Sequence, residues 1–200
     1  MAKTNDIIEN PVIGDKLKFL VTASDSNGEL LKVHLWNKAG AQGPPEHLHP
    51  KQTETFTILS GTVGFTCNGQ ETVLKAGQSI TAQKNEMHRF WTIGDTPSEM
   101  TVELRPALRS EFFLETWYSL AQQGKVKKDS TPRNFLQFMT ILYGYYGESF
   151  VAGPPILLQK LMAKIFGGLG KMLGYKCLIP YKRNEVSLGS VATFESQAAF

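Results

Sequence analysis

The chain has 200 residues, 42% of them hydrophobic and 20% charged, with a net charge of +3. This is the balance of one globular domain, or of one domain with an extension, and it gives no electrostatic ground for a nucleic-acid partner. Met1 to Asp6 lack the apolar stretch of a signal peptide, and Cys67 and Cys177 stand far apart without metal-type spacing, so a cytoplasmic protein with reduced thiols is expected.

The first half reads as strands. Lys16 to Thr22 and Glu29 to Trp36 flank Ser26-Asn27-Gly28, and Thr62–Cys67 and Gln70–Leu74 flank Asn68-Gly69. Asn-Gly between extended runs predicts tight hairpins, because both residues tolerate positive φ. Gly40 to Pro45 form a loop that delivers the chain to His47. Glu54–Leu59, Ser79–Gln83, His88–Ile93 and Met100–Arg105 complete the strand set. Many short strands with regular turn signals indicate a sandwich or barrel, and the absence of an internal repeat indicates one of them.

After Pro106 the pattern becomes helical. Ser110 to Gln123 carries Phe113, Trp117 and Leu120 on one stripe. A polar connection leads to Thr131, which reads as an N-cap with Pro132 at the first helical position. Phe135, Phe138, Met139 and Leu142 follow at helical spacing. Gly153-Pro154-Pro155 starts another helix, with Leu158, Leu161, Met162, Ile165, Phe166 and Leu169 as its apolar stripe. That stripe is expected to pack on the barrel or on a second subunit. Its lysines admit contact with a membrane surface as the lesser alternative, and they interrupt the run too often for a transmembrane span. Glu185 to Phe200 give little signal.

Three of the four histidines fall in one constellation with a carboxylate: His47, His49, Glu54 and His88. Alternate residues of a strand share a face, so His47 and His49 point together. Four residues let the chain turn, and Glu54 opens a new strand with Phe56 and Ile58 on its face. Three imidazoles and a carboxylate can hold a divalent first-row metal and leave positions open. Phe56, Ile58, Phe90 and Thr92 share parity with the ligands and are candidate pocket-lining residues, with barrel core as the plainer role for Phe56 and Ile58. His34, with Lys32 and Trp36 on its face, is expected at a surface or under a helix.

These residues resemble the cupin superfamily. Its first motif is His-x-His, three or four residues, Glu, six residues, Gly; here His47, His49, Glu54 and Gly61. Its second is Gly, five residues, Pro-x-Gly, two residues, His, three residues, Asn. Here Gly77 and His88 stand in place, while Pro-x-Gly has become Gln83-Lys84-Asn85 and the final Asn is Thr92. Asn85 can supply the left-handed turn of the lost Gly. The resemblance covers about residues 12–108, and the whole layout is similar to small bacterial proteins with one cupin domain and a helical tail.

The resemblance implies a mainly β protein: a single jelly-roll (double-stranded β-helix) barrel over residues 1–108, with a helical extension over 109–200. It implies a divalent Fe, Mn, Ni, Co or Zn ion on His47, His49, Glu54 and His88, with Glu54 alternatively a base. It also implies a small-molecule substrate, with dioxygenase-like or isomerase-like chemistry, or else a module that binds or senses a ligand without turnover. A barrel with exposed strand edges is expected to pair as a homodimer.

Overall fold

The computed structural model describes residues 2–183, and the chain beyond, including Glu185 to Phe200, lies outside them. The strands are β1 (Ile7–Asn10), β2 (Asp15–Val21), β3 (Leu31–Asn37), β4 (His47–Leu48), β5 (Thr53–Ser60) and β6 (Thr62–Cys67). They continue as β7 (Gln70–Lys75), β8 (Ser79–Ala82), β9 (His88–Thr92), β10 (Ser98–Arg105) and β11 (Phe150–Val151). They form a six-stranded sheet, β1-β2-β3-β10-β5-β8, and a five-stranded sheet, β11-β4-β9-β6-β7, with antiparallel pairing throughout. This is a jelly-roll barrel followed by a helical part.

Alternation decides which face is buried. Leu17 and Phe19, Val33 and Leu35, Phe56 and Ile58, and Met100 and Val102 point inward from the larger sheet. Val63, Phe65 and Phe90 meet them from the smaller one. Each such side chain contributes roughly 1.5–3 kcal/mol when fully buried.

The Asn68-Gly69 hairpin forms as expected, a two-residue turn with φ of 50° and 78° between the paired Cys67 and Gln70. Ser26-Asn27-Gly28 differs. Asn27 and Gly28 do have positive φ, but they sit in a longer loop between β2 and β3. The Ser26 hydroxyl shapes that loop, accepting from Leu30 N at 2.9 Å and donating to Leu30 O at 2.7 Å. β1 and β11 are too short to show a period in the sequence.

Helix α1 (Ser110–Gln122) presents Phe113 and Trp117 to the next helix, α2 (Phe135–Gly144), through Tyr145 and Phe138. Leu114 and Tyr118 join the barrel core, Leu120 and Ala121 pack with Val126 and Ile141, and polar groups are buried among them. Glu111 accepts from Ala23 N, Thr116 accepts from Ile179 N, and Ser119 donates to Pro180 O. Buried Glu115 is paired with Arg183, which also reaches Asp6. Glu111, Thr116 and Ser119 thereby satisfy loop backbone that has no ladder partner, which is why such groups are buried there.

The N-cap of α2 is Asn134, whose side chain accepts from Gln137 N at 2.9 Å, rather than Thr131. Pro132 is drawn away into a bridge with Val126. The last helix is a rod in three segments: α3 (Ile156–Met162), a π-helical turn (Ala163–Gly167) and α4 (Gly168–Met172). Within the chain its apolar stripe does not pack on the barrel but largely faces outward. Ala163, Gly167 and Gly170 are buried, and Leu158, Leu161, Ile165, Phe166 and Leu169 are exposed. No described helix is long and apolar enough to cross a membrane.

One buried carboxyl opposes this packing. Asp15 Oδ1 is enclosed without a hydrogen-bond partner, and burial, against the pull of Lys38, raises its pKa to about 7. A carboxyl raised on folding holds a proton in the native state that the unfolded chain has released. Its stabilisation is therefore full below about pH 4 and lost as pH rises through about 7. Asp15→Asn should stabilise the protein at about pH 8 by on the order of 2 kcal/mol, with the advantage fading towards about pH 4. Urea unfolding at the two pH values checks this.

Candidate metal centre

The four residues singled out by spacing meet at one point. His47 and His88 are cross-strand partners of β4 and β9 in the smaller sheet. Glu54 reaches in from β5 of the larger sheet, and His49 follows directly after β4. Their ligand atoms all lie within 4.8 Å of one another. Glu54 Oε2 is the focus: it lies 2.9 Å from His88 Nε2, 3.3 Å from His49 Nε2 and 3.9 Å from His47 Nε2.

The outer nitrogen of each ring is tied to a backbone carbonyl. His47 Nδ1 donates to Pro45 O at 2.8 Å, His49 Nδ1 to Glu148 O at 2.9 Å and His88 Nδ1 to Glu86 O at 2.9 Å. A carbonyl can only accept, so the Nδ1 position carries the proton in all three. The Nε2 lone pairs are thereby free to face inward whenever the rings are neutral, which is the tautomer a metal requires.

The local sequence builds these supports. Asn85 takes the left-handed conformation (φ 68°) and donates its N–H to His49 O at 3.0 Å. The turn that lost Pro-x-Gly is therefore intact. Gly61 cannot carry a side chain, because a Cβ would lie 2.5 Å from Pro97 O. Gln52, in the segment joining His49 to Glu54, donates to Pro106 O, Ala107 O and Ser110 Oγ at 2.8–3.1 Å. It holds the His49–Glu54 segment against the end of β10 and the start of α1.

Electrostatics follow from enclosure. Burial pushes the Glu54 carboxyl up, but hydrogen bonds from His49 and His88 outweigh it and hold the group well below the usual carboxylate range. Burial lowers His47 to about 4, with Glu54 opposing. His49 is also pressed down by burial, yet its contact with Glu54 leaves it raised overall. The result is a fixed anion surrounded by imidazoles.

Phe56 lies edge-on to the His88 ring and Phe65 stacks on it, both at 6.1 Å between centroids. Phe90 stands 5.6 Å from Phe56. Ile58 is in the core, and Thr92 is bonded to Ser98 at 2.7 Å. Both are four residues along their strands from a ligand, roughly 13 Å. His34 is apart from the cluster, stacked on Trp36 and bonded to Glu99.

Sequence reasoning missed Glu148 and Arg109. Arg109 donates from its backbone N to Glu148 Oε2 at 3.0 Å and from Nε to Oε1. That clamp fixes the residue whose carbonyl orients His49. The pairing of β11 with β4 (Phe150 with Leu48, Val151 with His47) continues the same connection. Neither residue has a spacing that announces the role.

Residues 37–103 match the family model for the cupin domain. That stretch of the barrel is a cupin domain. Among similar proteins, a probable oxidoreductase, patJ, of Aspergillus clavatus is 27% identical over 151 residues, covering 68% of this chain and 45% of that protein. The epoxidase atD of Aspergillus terreus is 28% identical over 147 residues, covering 67% of this chain and 45% of its own length. The chain thus spans less than half the length of these relatives. An RmlC-like cupin from Shewanella frigidimarina aligns in three dimensions with a TM-score of 0.46 and 23% identity, covering 56% of this chain and 92% of that one.

His47 is the sharpest probe of this geometry in chelator-treated protein. Long-range proton–nitrogen correlation spectra should show a neutral ring protonated at Nδ1, and it should stay neutral until about pH 4. A ring that charges near its ordinary value would contradict the enclosure described.

Proposed function

We propose that this cupin is a metal-dependent oxidoreductase acting on a small organic molecule, with His47, His49, Glu54 and His88 holding a divalent first-row ion. One observation carries the reading: three imidazole Nε2 atoms, each set by an Nδ1–carbonyl bond, converge with one carboxylate oxygen. These residues fit a metal in donor type, number, enclosure and outer support. Such an ion supplies Lewis-acid polarisation of a substrate oxygen and, where redox-active, electron transfer to dioxygen. The names of the fungal relatives, an oxidoreductase and an epoxidase, support the oxidative branch.

The chain's own residues have separable roles. His88 and Glu54 form the closed side of the cluster. His47 is its more accessible member, with 15% of its side chain exposed against 1% for His88, so substrate approaches from that side. Phe56 and Phe90 give an apolar floor suited to an aromatic or lipid-like substrate. Ile58 and Thr92 act at a distance, through packing. Glu54 serves first as a ligand, and a base role would require it to leave the ion and take a proton. The deep burial of His88 and Glu54 favours a second reading, a metal-stabilised module that binds or senses a small molecule without turnover.

Elemental analysis of protein purified without chelators should find one Fe, Mn, Ni, Co or Zn per chain. His49→Ala and His88→Ala should lose it and His34→Ala should keep it, whereas equal loading in all three would sink the assignment. Oxygen uptake with candidate substrates then separates enzyme from binding module. Chelation should lower the melting temperature, because the ion stabilises only the folded form. Arg109→Ala frees Glu148 and should weaken metal affinity by about 10–100-fold, the usual effect of losing an outer partner, without removing any ligand.

A further inference from the structure

The rod formed by α3, the π-helical turn and α4 is seated by its smallest residues. A Cβ on Gly167 would lie 2.4 Å from Met139 O and 2.5 Å from Tyr143 Cβ, and one on Gly170 would lie 2.2 Å from Thr140 Oγ1. With Ala163 also buried, the Ala-Gly-Gly edge admits one orientation only, close against α2. The large side chains are thereby turned outward. Leu157 is 79% exposed, Met172 85% and Leu173 62%, with Leu161 and Ile165 between them at 52% and 55%. A contiguous outward face of this kind is a contact surface rather than a scatter of single apolar residues.

Charge says which partner fits. Lys160, Lys164 and Lys171 run along one flank of the rod, each beside an aromatic ring of α2 or of the segment that follows it. Their ammonium groups lie over Phe150, Tyr146 and Tyr143, at 5.5, 5.3 and 5.8 Å from the ring centroids. From Ser149 to Asn184 the sequence holds no Asp or Glu. A second copy meeting this face would bring lysine rows together with no acid from the same element to offset them. An anionic lipid surface offsets them and accepts the apolar side chains in the same step.

We propose that this face docks the protein on anionic membranes, with the rod lying in the plane of the interface. The leucines, Ile165 and Met172 enter the headgroup–acyl boundary. The lysines, whose ammonium groups lie over the aromatic rings beside the rod, meet the phosphates along its flank. The rod, interrupted by three lysines, is not long and apolar enough to cross, in keeping with an interfacial seat.

The test is co-sedimentation of the full chain with vesicles of phosphatidylcholine alone and of phosphatidylcholine mixed equally with phosphatidylglycerol. Binding is expected to the mixed vesicles, weakening as salt is raised. Lys160→Gln, Lys164→Gln and Lys171→Gln together should lower the partition coefficient on the order of a hundredfold, at about fivefold per lysine. Their melting temperature and circular dichroism show whether the fold is intact. Ile165→Ser with Leu161→Ser, both exposed, should reduce binding at every salt concentration. No binding to mixed vesicles would overturn the proposal, as would binding indifferent to the lysines. A dimer in solution that Ile165→Asp splits would assign the face to a second copy instead.

Discussion

Everything at the centre of this barrel is arranged around one buried carboxylate. Glu54 leaves water at the junction of the two sheets, and an ionised carboxyl there is tolerated only where charge and donors meet it. The imidazoles of His49 and His88 do so directly, and His47 closes the ring. Their arrangement depends on register: His47 faces His88 across the β4–β9 pair, while Glu54 comes from the opposite sheet. A slip of one residue in either sheet would turn one of these side chains outward. The centre therefore exists only when both sheets have paired in their native frame.

The ring tautomers show how thoroughly this frame is specified. Three carbonyls, from Pro45, Glu86 and Glu148, come from three different loops, and each takes one Nδ1 proton. Two belong to segments beside the ligands, as short connections would allow. The third lies 99 residues from its histidine and belongs to the helical part. The barrel alone does not complete its own centre.

How much of this could be read beforehand depended on periodicity. The strands alternate cleanly, so most of their bounds lay within a residue or two of the sequence reading, and the His-x-His parity placed both rings on one side. Asn85 replaced a glycine without loss because its backbone tolerates positive φ. The helices were harder. Alternative caps compete locally, and Asn134 prevailed over Thr131 because Pro132 was engaged elsewhere. An apolar stripe usually marks the buried side of a helix. Here the close approach to α2 admitted only alanine and glycine, and steric fit overrode hydropathy. The Glu148–Arg109 clamp left no trace in the sequence because it joins residues 39 positions apart with no motif around either.

The bond between His49 and the Glu148 carbonyl ties the edge of the barrel to the helical part. Glu148 ends the turn that leads into β11, and Gln159 of α3 bonds both the N–H and the carbonyl of Val151. His49, the strand β11 and α3 are thus fastened through one short run of hydrogen bonds, so the orientation of the His49 ring and the seat of the rod are set by the same stretch of backbone.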